Sequence, residues 1–189
     1  MPASRKPSTT PKHKRPPHHG LVQVYTGDGK GKTTAALGAG LRAVGHGFHV
    51  YMIQFMKGQI NYGELKAVKQ LHNFTIRQFG RSEFVDRRNP DLKDIALAKA
   101  ALQHAREIMA KGKVDFLILD EVNCAIDWGL IAEEEVVDLI RNRPPQMELI
   151  LTGRYARPTI IELADLVSKI KEIKHPYQKG IGPRLGCEM

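Results

Sequence analysis

Apolar residues in this chain alternate between short uninterrupted runs and longer stretches in which they recur every third or fourth position. Residues 21–25 (LVQVY) form a β-rich run that ends in a glycine-rich loop, and residues 33–44 follow with helix-forming alanines and leucines. Residues 48–55 (FHVYMIQF) read as a second, buried strand and residues 74–79 as a weaker third. Asn89-Pro90-Asp91 breaks the chain and opens a helix over residues 92–111, in which Ile95, Ala98, Ala101, Leu102, Ala105 and Ile108 keep helical spacing; Gly112 ends it. Residues 114–119 (VDFLIL) are the most strand-like run, and residues 148–152 (ELILT) are another. Helical patterns cover residues 132–141 and 158–164, and residues 166–173 alternate as an edge strand would. There is no internal repeat.

Strands alternating with helices, two of them apolar almost throughout, imply an α/β three-layer sandwich around a largely parallel sheet. Ligands in such sheets bind where the carboxyl ends of strands meet helix N-termini. The glycine loop, Asp120-Glu121 and Thr152-Gly153-Arg154 each follow a strand directly, so all three are expected on one rim.

At 189 residues, 42 % of them hydrophobic, the chain suits one domain with a real core. No window reaches the roughly 18 to 20 apolar residues of a membrane span, and the N-terminus lacks a secretory core, which predicts a cytoplasmic protein without a membrane partner. Two cysteines, Cys124 and Cys187, are too few for a disulfide scaffold or a metal cluster. The net charge is +9, and residues 1–20 carry Arg5, Lys6, Lys12, Lys14 and Arg15 without an acid. This flexible basic tail, separate from a domain over residues 21–189, is a solvated segment, a flap over an anionic ligand or a nucleic-acid arm. No paired aromatic platform accompanies it, so nucleic acid is not the expected partner.

Gly31-Lys32-Thr33 has the end of a phosphate loop, yet the usual formula places its first glycine where Thr26 stands; Gly27 comes one residue late. Backbone N–H groups of such a turn, at a helix N-terminus, cradle an anion. Lys32 and Lys30 are expected on phosphate and the Thr33 hydroxyl on magnesium, with Asp120 and Glu121 completing the metal site directly or through water. One of these two acids is alternatively a ribose ligand. Asp28 either faces a cation or is an ordinary turn residue. Arg154 is either a phosphate clamp or a structural ion pair, Lys57 takes either role, and Asn123 either orients the nucleotide or caps the helix after it.

The stretch Gly27-Asp28-Gly29-Lys30-Gly31-Lys32-Thr33-Thr34 resembles the shortened loop of the ATP:corrinoid adenosyltransferases of the cobalamin pathway. "IQFMKG" at residues 53–58, "LDEVNCAIDWGLI" at 119–131, "TGRYARPTIIELADLVSKIKEIKHP" at 152–176 and "KGIGPRLGCE" at 179–188 are similar to that family in order and spacing. The resemblance runs from about residue 21 to residue 188 and implies a P-loop (RecA-like) fold. It further implies transfer of the 5′-deoxyadenosyl group of ATP to the Co(I) of a corrinoid, with tripolyphosphate leaving and Mg2+ or Mn2+ assisting. In that family the loop grips the γ-phosphate end and turns the ribose C5′ toward the corrin, a role that suits a loop one residue short. Co(I) is the nucleophile, so no serine, cysteine or side-chain base is required. The resemblance also implies a homodimer, a reduced flavoprotein as electron donor and an N-terminal segment that folds over bound ligand, within reach of His18 and His19.

Members of the family carry an aromatic pair after the third strand that packs beside the macrocycle and eases Co(II) reduction. Here the region reads Phe79-Gly80-Arg81-Ser82-Glu83-Phe84-Val85, without the usual tryptophan. Phe84, with Val85, is the candidate apolar wedge; Phe79 and Trp128 are as readily core. His18, His19 and His175 have no spacing that favours a metal site.

Overall fold

The two most apolar runs sit at the middle of the sheet, where both faces of a strand are covered. In the computed structural model, which describes residues 19–58 and 62–187, β4 (Phe116–Asp120) and β5 (Glu148–Thr152) are buried at every position. They are flanked by β1 (Val22–Thr26) and β2 (Val50–Phe55), with β3 (Phe74–Phe79) and β6 (Leu166–Lys169) at the edges. The six strands follow the order β3-β2-β4-β5-β1-β6, and every pairing is parallel. The α/β fold and the parallel sheet expected from the sequence are both present.

Period-two alternation divides the core into two layers. Leu117 and Leu119 face α3 (Leu92–Lys111), α4 (Val122–Asp127) and α5 (Glu133–Arg141), while Phe116 and Ile118 face α1 (Lys32–Gly45) and α2 (Gly63–Val68). α3 spans the residues its pattern predicts. The Asp91 carboxylate accepts a hydrogen bond from the Lys93 N–H at 2.8 Å as its N-cap, and Gly112 closes it in the left-handed region at φ 60°.

Three short elements carry no pattern that foretold them: α2, α4 and a 3-10 turn over Pro176–Lys179. A fourth short helix, α6 (Pro158–Glu162), falls inside the helical pattern of residues 158–164. The edge strand β6 ends at Lys169, well before residue 173. Its partner β1 has no more residues to pair, because the chain turns into the glycine loop at Gly27. Ile170 instead donates its N–H to the Thr26 carbonyl and accepts the Gly29 N–H at 3.0 Å, so the segment after β6 lies against the loop. The basic tail expected over residues 1–20 falls outside the described residues as far as residue 18; Gly20 is buried, its N–H bonded to the Pro145 carbonyl.

Candidate active site

The carboxyl ends of the strands open onto a cavity of about 850 Å³. The loop from Asp28 to Thr34 forms one side of it, and Lys57, Phe84, Glu121 and Arg154 reach it from four other segments. Three sequence candidates, Gly27, Asp120 and Asn123, lie behind this lining.

The loop owes its shape to its neighbours as much as to any ligand. Gly31 adopts φ 119° with open space around its α-carbon, so glycine serves conformation there. Gly27 and Gly29 serve proximity: a side chain at Gly27 would fall on the Ile170 carbonyl oxygen, and one at Gly29 would come within 2.7 Å of the Lys171 carbonyl. Inside the curve the Lys32 ammonium donates to the carbonyls of Gly27 at 2.8 Å and Gly29 at 2.7 Å, and its burial pulls its pKa down. The Asp28 carboxyl is held below its ordinary value, first by its own backbone N–H, with the Glu172 backbone, Arg154 and Lys169 adding to the effect. It thus serves the segment after β6 and the cations rather than the loop interior.

Asp120 is fully buried at the end of β4 and is the hub behind the cavity. One oxygen accepts the Thr33 hydroxyl at 2.8 Å and the Thr152 hydroxyl at 2.7 Å; the other accepts the Lys57 ammonium at 2.8 Å. Burial alone would lower the Lys57 pKa, but the Asp120 charge and hydrogen bond override it and the net shift is upward. Lys57 is therefore an ion-pair partner in this state, and Asp120 acts on the cavity through the Thr33 hydroxyl that it orients. Of the Asp120-Glu121 pair, Glu121 is the acid that lines the cavity. Its backbone is left-handed at φ 64°, and its N–H is fixed by the Thr152 hydroxyl at 2.9 Å.

Among the described residues, the non-glycine residues with left-handed backbone are Met56, Glu121 and Tyr155, which follow β2, β4 and β5. Each such residue costs on the order of 1–3 kcal/mol, and here they gather on one rim. Arg154 lies on that rim as well. Its guanidinium makes no hydrogen bond or ion pair among the described residues, which leaves it available to an anion. Its backbone is fastened to α4, because its N–H donates to the Cys124 sulfur at 3.2 Å. Burial, then Glu121, pushes the Cys124 thiol far up, so it stays protonated and is no nucleophile.

Asn123 is not the helix cap; Glu121 holds that position, and both polar atoms of the Asn123 side chain are buried without a hydrogen-bond partner among the described residues. Phe84 is fully exposed, on an arm between β3 and α3, whereas Val85, Phe79 and Trp128 pack against the core. Trp128 also lines the cavity. His175 accepts the Tyr177 N–H through Nδ1 and lines the cavity beside Glu172 and Cys187; His19 is exposed, and His18 lies outside the described residues. That the segment from Ile170 to Cys187 walls the site was not legible in the sequence. Its one signal is the glycine pair at 27 and 29, which reads equally well as a phosphate loop.

Of the residues expected to hold a metal, Thr33 and Glu121 line the cavity, and both are hard oxygen ligands that suit Mg2+ or Mn2+. Among the described residues no group of three or more His, Cys, Asp or Glu is placed to hold a metal by itself.

Residues 18–189 match the family described as ATP:corrinoid adenosyltransferase BtuR/CobO/CobP. The chain is 36 % identical to the corrinoid adenosyltransferase of Escherichia coli K12, over 89 % of this chain and 85 % of that one. It is 34 % identical to corrinoid adenosyltransferase CobA of Salmonella typhimurium, with the same coverage. The corrinoid adenosyltransferase of Pseudomonas aeruginosa is 34 % identical over 89 % of this chain and 83 % of that one. With its parallel sheet, its phosphate-type loop at the strand ends and this similarity over nearly the whole length, the chain belongs to the ATP:corrinoid adenosyltransferase family of enzymes.

Proposed function

We propose that this enzyme transfers the 5′-deoxyadenosyl group of ATP to the Co(I) of a corrinoid, forming adenosylcobalamin or an adenosylated precursor and releasing tripolyphosphate. The observation that carries this reading is a single cavity with a phosphate-type loop on one wall and a fully exposed aromatic ring on the other, in which burial keeps the Cys124 thiol protonated. Such a site suits a reaction whose nucleophile arrives with the substrate. The reduced cobalt attacks C5′ as the Co–C bond forms and the C5′–O bond breaks. The bonding pair leaves with the tripolyphosphate.

The chain's own residues bind, orient and neutralise. Lys32, Lys30 and the N–H groups from Lys30 to Thr34 hold the triphosphate, and Arg154 closes on it from the end of β5. These cations stabilise the charge that accumulates on the leaving group. Thr33, held by Asp120, and Glu121 would ligate Mg2+ or Mn2+, which supplies further charge neutralisation when bound. A loop shortened by one residue and pressed on by the Ile170–Lys171 backbone favours gripping one end of the triphosphate, which leaves C5′ for the acceptor. Phe84 forms the acceptor wall and acts in the Co(II) step, where a reduced flavoprotein is the donor. A homodimer belongs to the same reading. The β6 edge, with Leu166 and Val167 each more than 40 % exposed, supports a covering partner. Among the described residues no helix is long and apolar enough to cross a membrane.

The test is to mix the protein with ATP and chemically reduced corrinoid. Product is followed by its light-sensitive absorbance, and the phosphate released is identified. A Co–C product with stoichiometric tripolyphosphate is expected; orthophosphate without that product would replace this reading with a hydrolase.

A further inference from the structure

The arm that carries Phe84 is anchored at both ends. At its start Arg81 forks onto Asp94, Nε to Oδ1 at 2.8 Å and Nη2 to Oδ2 at 2.6 Å, which fixes the arm to the first turn of α3. At its far end Arg87 crosses the cavity rim. Its Nη2 donates to Asp127 Oδ2 at 2.8 Å, at the end of α4, and its guanidinium stacks 4.9 Å from the centre of the Tyr155 ring. Asp127 is only 10 % exposed at its side chain, and its second oxygen lies 3.4 Å from Arg157 Nη2. Tyr155 follows Arg154 directly, in the strained turn at φ 61° that the Cys124 sulfur fastens to α4.

We propose that Arg87 is a positioning residue that ties the Phe84 arm to the Arg154 turn and so fixes the separation of the cavity's two walls. This rests on the transferase reading above, in which one wall holds the triphosphate and the other the acceptor. Arginine suits the task because its flat fork donates along one edge while its face stacks on a ring, which a lysine ammonium does not reproduce. The contact is not built for stability: the Arg87 side chain is 54 % exposed, and an ion pair that open contributes little to folding. It does join segments separated by 40 residues in sequence, and both Arg87 and Tyr155 line the cavity. In a transfer that needs carbon and metal in line, a displacement of about 1 Å lowers the rate as much as a hundredfold.

The test uses the full chain. Arg87→Ala should lower kcat for ATP and chemically reduced corrinoid by roughly tenfold to a hundredfold while KM for ATP stays within about twofold. Its melting temperature should be unchanged. Arg87→Lys should fall between the two, and Arg88→Ala, the removal of an exposed neighbouring cation, should match wild type. The second readout needs neither substrate. Trp128 is the chain's one tryptophan and lines the cavity beside Asp127, so freeing the arm should raise its quenching by acrylamide in Arg87→Ala. Unchanged quenching, an unchanged kcat, or a rise in KM for ATP with kcat intact would each overturn the proposal. Should wild type form no Co–C product in the same assay, the transferase reading fails, and Trp128 quenching alone decides whether the tie exists.

Discussion

The loop wall of the cavity and the arm that faces it differ in what holds them. The loop is fixed by backbone: the Ile170 and Lys171 peptides press on Gly27 and Gly29, a buried lysine bonds to its carbonyls, and Asp120 holds its first helical hydroxyl. The arm is fixed by side chains, through Arg81 and Arg87, and it holds a large apolar ring entirely in solvent. In the proposed reading a triphosphate presents the same oxygens in every encounter, so its wall gains from backbone groups that cannot move. In the same reading an acceptor with a broad apolar surface is met by an aromatic ring on a segment that side-chain pairs hold in place. The strained residues follow the same division, since they cluster at strand ends and leave the arm free of them.

That contrast can be broken in order of effect. Lys32→Ala should lower the transfer rate by about 10²–10³-fold with the fold intact, measured as product absorbance per minute alongside far-UV circular dichroism. A loss below tenfold would remove the loop from the phosphate wall. Gly27→Ala should come next. It puts a side chain at φ 100° into the Ile170 carbonyl, and we expect about 3 kcal/mol of destabilisation in a urea titration. A change under about 1 kcal/mol would mean that the segment after β6 yields and the wall is softer than described. Phe84→Ala should leave stability unchanged, since the ring is fully exposed, and should slow the reaction from Co(II) about tenfold more than that from Co(I). Equal losses from both starting states would sink the acceptor-wall assignment.

The smallest effect concerns the arm's first anchor and is a pH dependence. The hydrogen bond from Arg81 holds the Asp94 carboxyl below its ordinary value. A carboxyl with a depressed folded pKa adds stability that is fully present above the unfolded pKa and is lost as pH falls through the folded one. In Arg81→Gln the rise in stability across that acidic window should shrink, as read from melting temperatures between about pH 2 and pH 5. An acid limb identical to wild type would show that the fork does not hold this carboxylate.

Much of the loop wall was legible from local pattern. Gly31-Lys32-Thr33 after an apolar strand, with acids closing another strand, specifies a cradle because the N–H groups, the lysine and the hydroxyl all come from one continuous turn. α3 was readable to the residue, because Asp91 and Gly112 mark its ends chemically. α4 was not: the first five of its six residues are buried, so it shows no polar face to set a period. Phe84 could be chosen from sequence only by its place after the third strand. Nothing local separated it from Phe79, which packs against the core.

Taken alone, the amino-acid order determined the kind of sheet, the loop and the chemistry that the loop suits, since these depend on residues close together in the chain. Tertiary structure decided the rest. It set Asp120 behind Thr33 rather than in the cavity, placed Lys57 on that carboxylate while leaving Arg154 without an ion pair among the described residues, and laid the segment after β6 against the glycines. It also carried Arg87 across the rim to Asp127 and Tyr155. Each of these outcomes is a pairing between segments far apart in sequence, settled by which charges and close approaches the packed sheet makes compatible, and no local pattern encodes that choice.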